Sequence, residues 1–353
     1  MKRRDLLKVL FAASALGGAR LGCYRLARPA EPDGPLSDAA QQLVARAWQG
    51  LDPARTLDCH VHVVGLGIGS TGAYVNPRMR ALTHPVEYAR FTIYRHAAGI
   101  TDMERADQQY VERLVSLVRQ QRPHGRLMIL AFEQVYGEDG VADVDASEFH
   151  TPNDYVLELS RLYPDCFVAC ASIHPYRRDA VDELQRVAEA GAIAVKWLPN
   201  AMRMDPASPR CDAFYRKLAE LGLPLLTHAG EEKAVHSEEW QKLGNPLRLR
   251  RALDAGVKVV VAHCASLGEN EDLDAPGDDK PLLPSYELFA RMARQPEYRG
   301  RLFGEVSALT QYNRCELFAR VLTEPALEGR LVNGTDYPLP AINALIRTGK
   351  LAS

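Results

Sequence analysis

His60 and His62 sit one residue apart in the stretch DCHVH. On a β-strand that spacing turns two imidazoles to the same face. Neutral imidazole nitrogen and carboxylate oxygen are the donors a divalent cation such as zinc takes, at roughly 2.0–2.2 Å, with an open position for water in catalytic sites. An H-x-H pair alone is weak evidence. It gains weight from four residues farther along, each at or just past the end of an apolar run: Lys196 in AVKW, His228 in PLLTH, His263 in VVVAH and Asp336 in RLVNGTD.

The elements that must position these residues recur along the chain. Helical segments end at Gly191, Gly222, Gly256, Gly300 and Gly329, and a short apolar run follows each. Glycine just past a helix is a common left-handed stop. The runs are continuous rather than alternating, as in parallel strands covered on both faces. The N-terminal half adds RTLDCHVHVV, RLMILAF and FVACASIHP, giving eight strand units. Amphipathic helices are expected at ADQQYVERLVSLVRQQ, TPNDYVLELSRLY, DAVDELQRVAEA, CDAFYRKLAEL and NPLRLRRALDA. Eight strand–helix units predict an α/β fold, the (β/α)8 TIM barrel, with its site at the C-terminal ends of the strands. Those ends carry His60, His62, Lys196, His228, His263 and Asp336.

Gly67 to Gly72 also spells G-x-G-x-x-G, the dinucleotide-binding fingerprint. The fingerprint needs a helix opening at its last glycine and an acidic residue about 20 positions on, after a second strand. AYVNPRMRALTHP follows instead, and RFTIYRH offers no strand ending in Asp or Glu. The glycines are therefore read as a mobile loop beside the site. The segment from Gly65 to Gly125 is read as a long loop plus one helix. Cys59 and Cys264 neighbour ligand-type histidines and are expected to pack outward, by strand alternation.

The motifs DCHVH, AVKWLPN, LLTHAGEE, VVAHCAS and NGTDYP resemble those of the amidohydrolase superfamily of metal-dependent hydrolases. They look closest to its amidohydrolase-related branch, which includes decarboxylases, and the resemblance runs over roughly residues 55 to 340. It implies a divalent metal cofactor, zinc by expectation, as one or two ions. His60, His62 and Asp336 would hold one ion. Lys196 matches a position that is carbamylated in binuclear members, where with His228 and His263 it holds a second. In mononuclear members His228 joins the first ion and His263 polarises the substrate. A lysine here can also bind a substrate carboxylate or phosphate as a point charge. The implied reaction is hydrolysis of an amide, ester or lactone bond of a small molecule by activated water, with Asp336 as base and His263 stabilising the oxyanion. A decarboxylase or hydratase on the same residues is the alternative, and a non-catalytic exported metal-binding barrel a third reading.

Other residues have two readings each. His174 lines the pocket or is a satisfied structural histidine. Glu231 and Glu232 orient His228 or face solvent. Trp197, Asn200 and Arg203 contact substrate or belong to loop surface. Glu305, on the seventh strand, serves packing or the metal. Substrate choice is expected to reside in Gly65–Gly125 and Gly268–Pro284.

The chain has 353 residues, is 46% hydrophobic and carries a formal charge of -2. That balance gives no basic face for nucleic acid. Seven cysteines without C-x-x-C spacing argue against a zinc ribbon or a disulfide scaffold. MKRRDLLKVLFAASALGGARLGC joins Arg3-Arg4 to an apolar run too short and weak for a membrane span. It resembles a twin-arginine export signal, so residues 1–30 are expected to be signal and linker, the mature chain extracytoplasmic, and residues 50–353 the barrel. Cys23 faintly resembles a lipidation site. A small-molecule substrate is expected as the partner, and a homo-oligomer is compatible with the reading. The tail PLPAINALIRTGKLAS is short for a last barrel helix, so the natural C-terminus is expected to extend farther.

Overall fold

The computed structural model describes residues 37–339 except 122 and 236, together with 345–346. The export-signal segment and most of the tail after Leu339 lie outside the described residues. Among the described residues no helix is long and apolar enough to cross a membrane.

Eight parallel strands form one sheet in sequence order: β1 (Leu57–His62), β2 (Arg126–Leu130), β3 (Phe167–Ala171), β4 (Ala194–Trp197), β5 (Leu225–His228), β6 (Val259–Ala262), β7 (Leu302–Glu305) and β8 (Leu331–Val332). The sheet nearly closes on itself. The amide of Cys59 donates to the Asn333 carbonyl at 2.9 Å, that of His62 to the Tyr337 carbonyl at 3.0 Å, and Val61 bridges Tyr337. This is the expected (β/α)8 architecture.

Strand alternation divides the apolar residues into two cores. Met128, Leu130, Cys170, Ala194, Leu226 and Ala262 fill the barrel interior. Their strand neighbours, among them Ile129, Ala169, Val195, Leu225 and Val261, belong to the larger core that includes the helices. Ala106–Gln120, Asn153–Leu162, Ala180–Glu189 and Asp212–Leu221 form at the expected segments. Gly222 closes the last of these at φ 68°, the left-handed region open to glycine at little cost.

Three expectations change. β1 carries an extra residue: Asp58 pairs with Leu127 and Val61 with Ile129, so Cys59 and His60 together oppose Met128. This β-bulge turns both residues inward. Cys59 therefore packs against the interior cluster rather than outward, while Cys264 joins the outer core as expected. Second, the segment 65–125 holds another helix, Pro85–Ala97. Its apolar residues are scattered, with Val86 and Tyr88 exposed, so no stripe announced it. Third, the glycine-rich loop after β1 is pinned. Asp107 accepts from the amides of Leu66 (2.7 Å) and Gly67 (3.1 Å) and from the Thr71 hydroxyl (2.6 Å).

His174, in the loop after β3, is a structural residue. It is fully buried, its Nε2 donates to the Met202 carbonyl at 3.0 Å, and its Nδ1 accepts from the Tyr176 amide at 3.1 Å. Burial pushes its pKa down from 6.5 to about 4. A second ring proton would face the Tyr176 amide. The unfolded chain takes up that proton near 6.5 and the folded chain only near 4, so this contribution is complete above 6.5 and is lost as pH falls towards 4. Between pH 7 and 5 the expected loss from this residue is about 2 kcal/mol. Urea midpoints at both pH values check it: His174→Gln should flatten the pH dependence by that amount, and an unchanged slope contradicts it.

Candidate metal centre

His60 and His62 flank Val61 at the end of β1, and the structure brings both to Asp336. One oxygen, Oδ1, lies 3.3 Å from His60 Nε2 and 3.1 Å from His62 Nε2. Donors around one tetrahedral zinc at roughly 2.0–2.1 Å are about 3.3 Å apart, so this spacing fits a shared cation. Asp336 itself adopts φ 60°, and its amide donates to the His60 carbonyl at 2.7 Å. Asp58 locks this junction from outside the barrel. It accepts from the amides of His60 (3.1 Å) and Thr335 (3.0 Å) and from the Thr335 hydroxyl (2.6 Å). Burial pushes its carboxyl up to about 6 in spite of these bonds. Gly334 completes the junction, because a Cβ there would stand 2.4 Å from Glu305 Oε1 and 2.9 Å from His60 Cβ.

The other expected residues surround this pair. Lys196 Nζ is 3.1 Å from His60 Nε2. His263 Nε2 is 3.9 Å from Asp336 Oδ2, and its ring stacks on that of His60 at 5.2 Å. His228 makes no direct polar contact with the cluster, but its ring lies 5.6 Å from that of His263. Its Nε2 is buried and has no hydrogen-bond partner among the described residues. His60, Lys196, His228 and His263 are buried, whereas His62 and Asp336 retain 20% and 18% side-chain exposure. A small molecule would therefore reach the cluster past His62 and Asp336. Phe132 walls that side, its ring 6.4 Å from His62 and 6.2 Å from Phe149.

Glu305 organises the histidines from beneath. Its carboxylate accepts from His60 Nδ1 at 2.9 Å, the Ser307 hydroxyl at 2.7 Å, the His263 amide at 3.3 Å and the Ser307 amide. The Ser307 oxygen in turn lies 2.8 Å from His263 Nδ1. With Nδ1 donating in both rings, the Nε2 lone pairs of His60 and His263 are left to face the cluster. Glu232 Oε2, 3.5 Å from His228 Nδ1, orients that ring in the same sense. Burial lowers the pKa of His60, His228 and His263. All three are therefore neutral near pH 7, the form a metal ligand requires. Among the described residues, two sets of ligand atoms come close enough to hold an ion: His60, His62 and Asp336, and His60, His263 and Glu305. The Glu305 set is already joined by hydrogen bonds through Ser307; in the Asp336 set the Nε2 atoms of His60 and His62 turn instead to Lys196 Nζ and Asp336 Oδ1.

The turn that carries His263 is strained. His263, Cys264 and Ala265 adopt φ 55°, 50° and 51°, a left-handed run costing roughly 1–2 kcal/mol per residue. The His263 amide bond to Glu305 and the bond from Cys264 Sγ to the Glu305 carbonyl at 3.5 Å hold it.

Several residues with two sequence readings resolve to structural roles. Trp197 is fully buried, donates to the Ile173 carbonyl and stacks on Phe214. Asn200 is buried and bonds Gln241 Oε1 at 3.1 Å, and Arg203 lies over the Trp240 ring. Glu231 forms a surface pair with Lys233, while Glu232 orients His228. Sequence reasoning left the organising role of Glu305 open and missed Asp58. The polar GEVS at the end of β7 and the aspartate two residues before His60 were the available signals.

Comparison with known proteins agrees with this architecture. The sequence model of the family described as Amidohydrolase matches residues 57–342. A TIM-barrel protein of uncharacterised function from Bordetella bronchiseptica is 17% identical, with 84% of this chain and 94% of that one covered and a TM-score of 0.52. The 5-carboxyvanillate decarboxylase of Sphingomonas paucimobilis is 13% identical over 84% of this chain and 95% of its own, with a TM-score of 0.48. The 4-oxalomesaconate hydratase of Rhodopseudomonas palustris is 13% identical over 82% of each chain, with a TM-score of 0.44. A search of curated proteins found no match. With the family's sequence pattern spanning the whole barrel, from β1 to the loop beyond Asp336, the chain belongs to the amidohydrolase family.

Proposed function

We propose that the chain is a metal-dependent hydrolase of an ester, lactone or amide bond in a small molecule. The observation that carries this reading is the convergence of His60 and His62 Nε2 on Asp336 Oδ1, with Lys196, His263 and the orphaned His228 nitrogen around it. A divalent cation there would be held by His60, His62 and Asp336 and would supply Lewis acidity and an activated water.

The chain's own groups divide the remaining work. Burial acts to raise the Asp336 carboxyl, but His263, His62 and Lys196 outweigh it and keep the group below the usual range. Asp336 is thus a carboxylate at neutral pH. It takes the proton of the attacking water and delivers it to the leaving group. His263 Nε2, 3.9 Å from Asp336 Oδ2, turns a lone pair to the cluster and so serves as a further donor to a cation rather than as a hydrogen-bond donor to the developing oxyanion. Burial lowers the Lys196 ammonium pKa. That favours the neutral amine, the form that can add carbon dioxide. Its position against His60, rather than at the pocket mouth, supports a role with the metal ions over the gripping of a carboxylate.

A lyase reading, decarboxylation or hydration on the same residues, gains from one observation: Arg314, buried and without an ion pair among the described residues, donates to Ser266, three residues past His263. A pH-stat assay of the purified protein on esters and lactones, with amine release read for amides and carbon dioxide release for carboxylic acids, separates the readings. Acid release that stops on chelation is expected. Carbon dioxide release without ester or lactone cleavage would move the chain to the lyases, and no turnover with metal bound would leave a binding protein.

A further inference from the structure

Three of the ligand-type residues straddle the seam of the barrel. His60 and His62 come from β1, and Asp336 comes from the chain after β8. Yet β8 is only two residues long, and among the described residues its ladder is made with β7 and none joins it to β1. Single amide bonds close the gap: Cys59 to Asn333, Asp336 to His60 and His62 to Tyr337. The 3.1 Å between His62 Nε2 and Asp336 Oδ1 therefore depends on an irregular segment, residues 333–337, that strand pairing does not fix.

The helix Ala106–Gln120 reaches this segment from outside the barrel. Tyr110 and Arg113, three residues apart, lie on one face of it. Tyr110 is fully buried, and its hydroxyl donates to the His62 carbonyl at 2.7 Å. Arg113 Nε donates to the Tyr337 hydroxyl at 2.6 Å. The Arg113 stem passes close over Gly99, where a Cβ would stand 2.9 Å from its Cδ. The rings of Tyr110 and Tyr337 lie nearly parallel, with centroids 6.4 Å apart. The His62 amide donates to the Tyr337 carbonyl at 3.0 Å. These contacts form a closed circuit: His62 to Tyr337, Tyr337 to Arg113, one helical turn to Tyr110, and back to His62. Tyr110 meets His62 at its backbone, so any effect on a cation passes through the ligand. We propose that Tyr110 and Arg113 are positioning residues. They brace the seam so that His62 and Asp336 meet at the spacing a shared cation needs, and they set how tightly that cation is held. The inference rests on the metal-dependent reading above and holds for hydrolysis and lyase chemistry alike.

The test is zinc affinity, read by competition with a chelator of known affinity, together with melting midpoints of the zinc-loaded and metal-free protein. Tyr110→Phe removes one oxygen and keeps the ring. It is expected to weaken zinc about 10-fold and to narrow the gap between the two midpoints. Arg113→Met should act in the same direction. Arg119→Met, on the same helix but paired with the exposed Asp165, should keep the wild-type affinity. A merely structural brace would lower both midpoints equally and leave zinc affinity unchanged, and that result overturns the proposal. So does an equal loss in Arg119→Met, which would make affinity a report on helix stability. Should Tyr110→Phe fail to fold, Tyr337→Phe decides, because it removes the Arg113 contact and keeps the ring; wild-type zinc affinity there overturns the proposal. A wild-type protein that binds no zinc would sink the metal reading itself, whereas zinc held equally by wild type and folded Tyr110→Phe sinks this inference alone.

Discussion

Asp336→Asn is expected to fold as the wild type does and to lose about 10²–10⁴-fold in turnover, the usual contribution of a positioned acid–base group. The backbone at this position does not depend on the charge. Its amide bond to the His60 carbonyl survives the change, and Asn tolerates the left-handed φ of 60° better than most residues. What changes is chemical. The amide oxygen of Asn can still lie between His60 and His62, but the group cannot carry the water proton to the leaving group. Far-ultraviolet circular dichroism and the melting midpoint should match wild type while hydrolysis falls. Wild-type turnover in this variant would place the base elsewhere.

Glu305→Gln is expected to weaken metal binding about 10- to 100-fold, the usual effect of losing a group that orients metal ligands. Its two oxygens face donors only: His60 Nδ1, the His263 amide, and the amide and hydroxyl of Ser307. A glutamine must turn an NH2 towards some of them, whichever way it flips. If it meets His60 Nδ1, the imidazole must change tautomer, and the Nε2 lone pair no longer faces the cluster. If it meets the Ser307 amide, a buried donor loses its partner at a cost of about 1–3 kcal/mol. Competition against a chelator of known affinity measures the change. Wild-type affinity in Glu305→Gln would mean that the tautomers are set some other way.

The barrel and most of the cluster were legible in the sequence because each depends on local pattern. A buried parallel strand is a continuous apolar run, and its C-terminal end is where the next polar residue appears, as at Lys196, His228 and His263. The bulge at Cys59 and His60 was not legible, because it exists only in the count against Leu127 and Ile129 on β2. Strand alternation alone therefore sent Cys59 to the wrong face. The helix Pro85–Ala97 lacked an apolar stripe, and the loop at Gly67–Gly72 owes its fixed shape to Asp107, far along the chain. Arg314 carried no local signal. Its burial against Ser266 joins residues far apart in the chain, which no local pattern announces.

The central claim is that His60, His62 and Asp336, with Lys196, His228 and His263, form a metal site that performs the chemistry. The most direct measurement is elemental analysis of purified protein, paired with turnover, before and after chelation and on readdition of zinc or manganese. The account predicts one or two divalent ions per chain, loss of ions and activity together, recovery on readdition, and no bound ion in His60→Ala/His62→Ala. Full activity from a chain that holds no ion would contradict it.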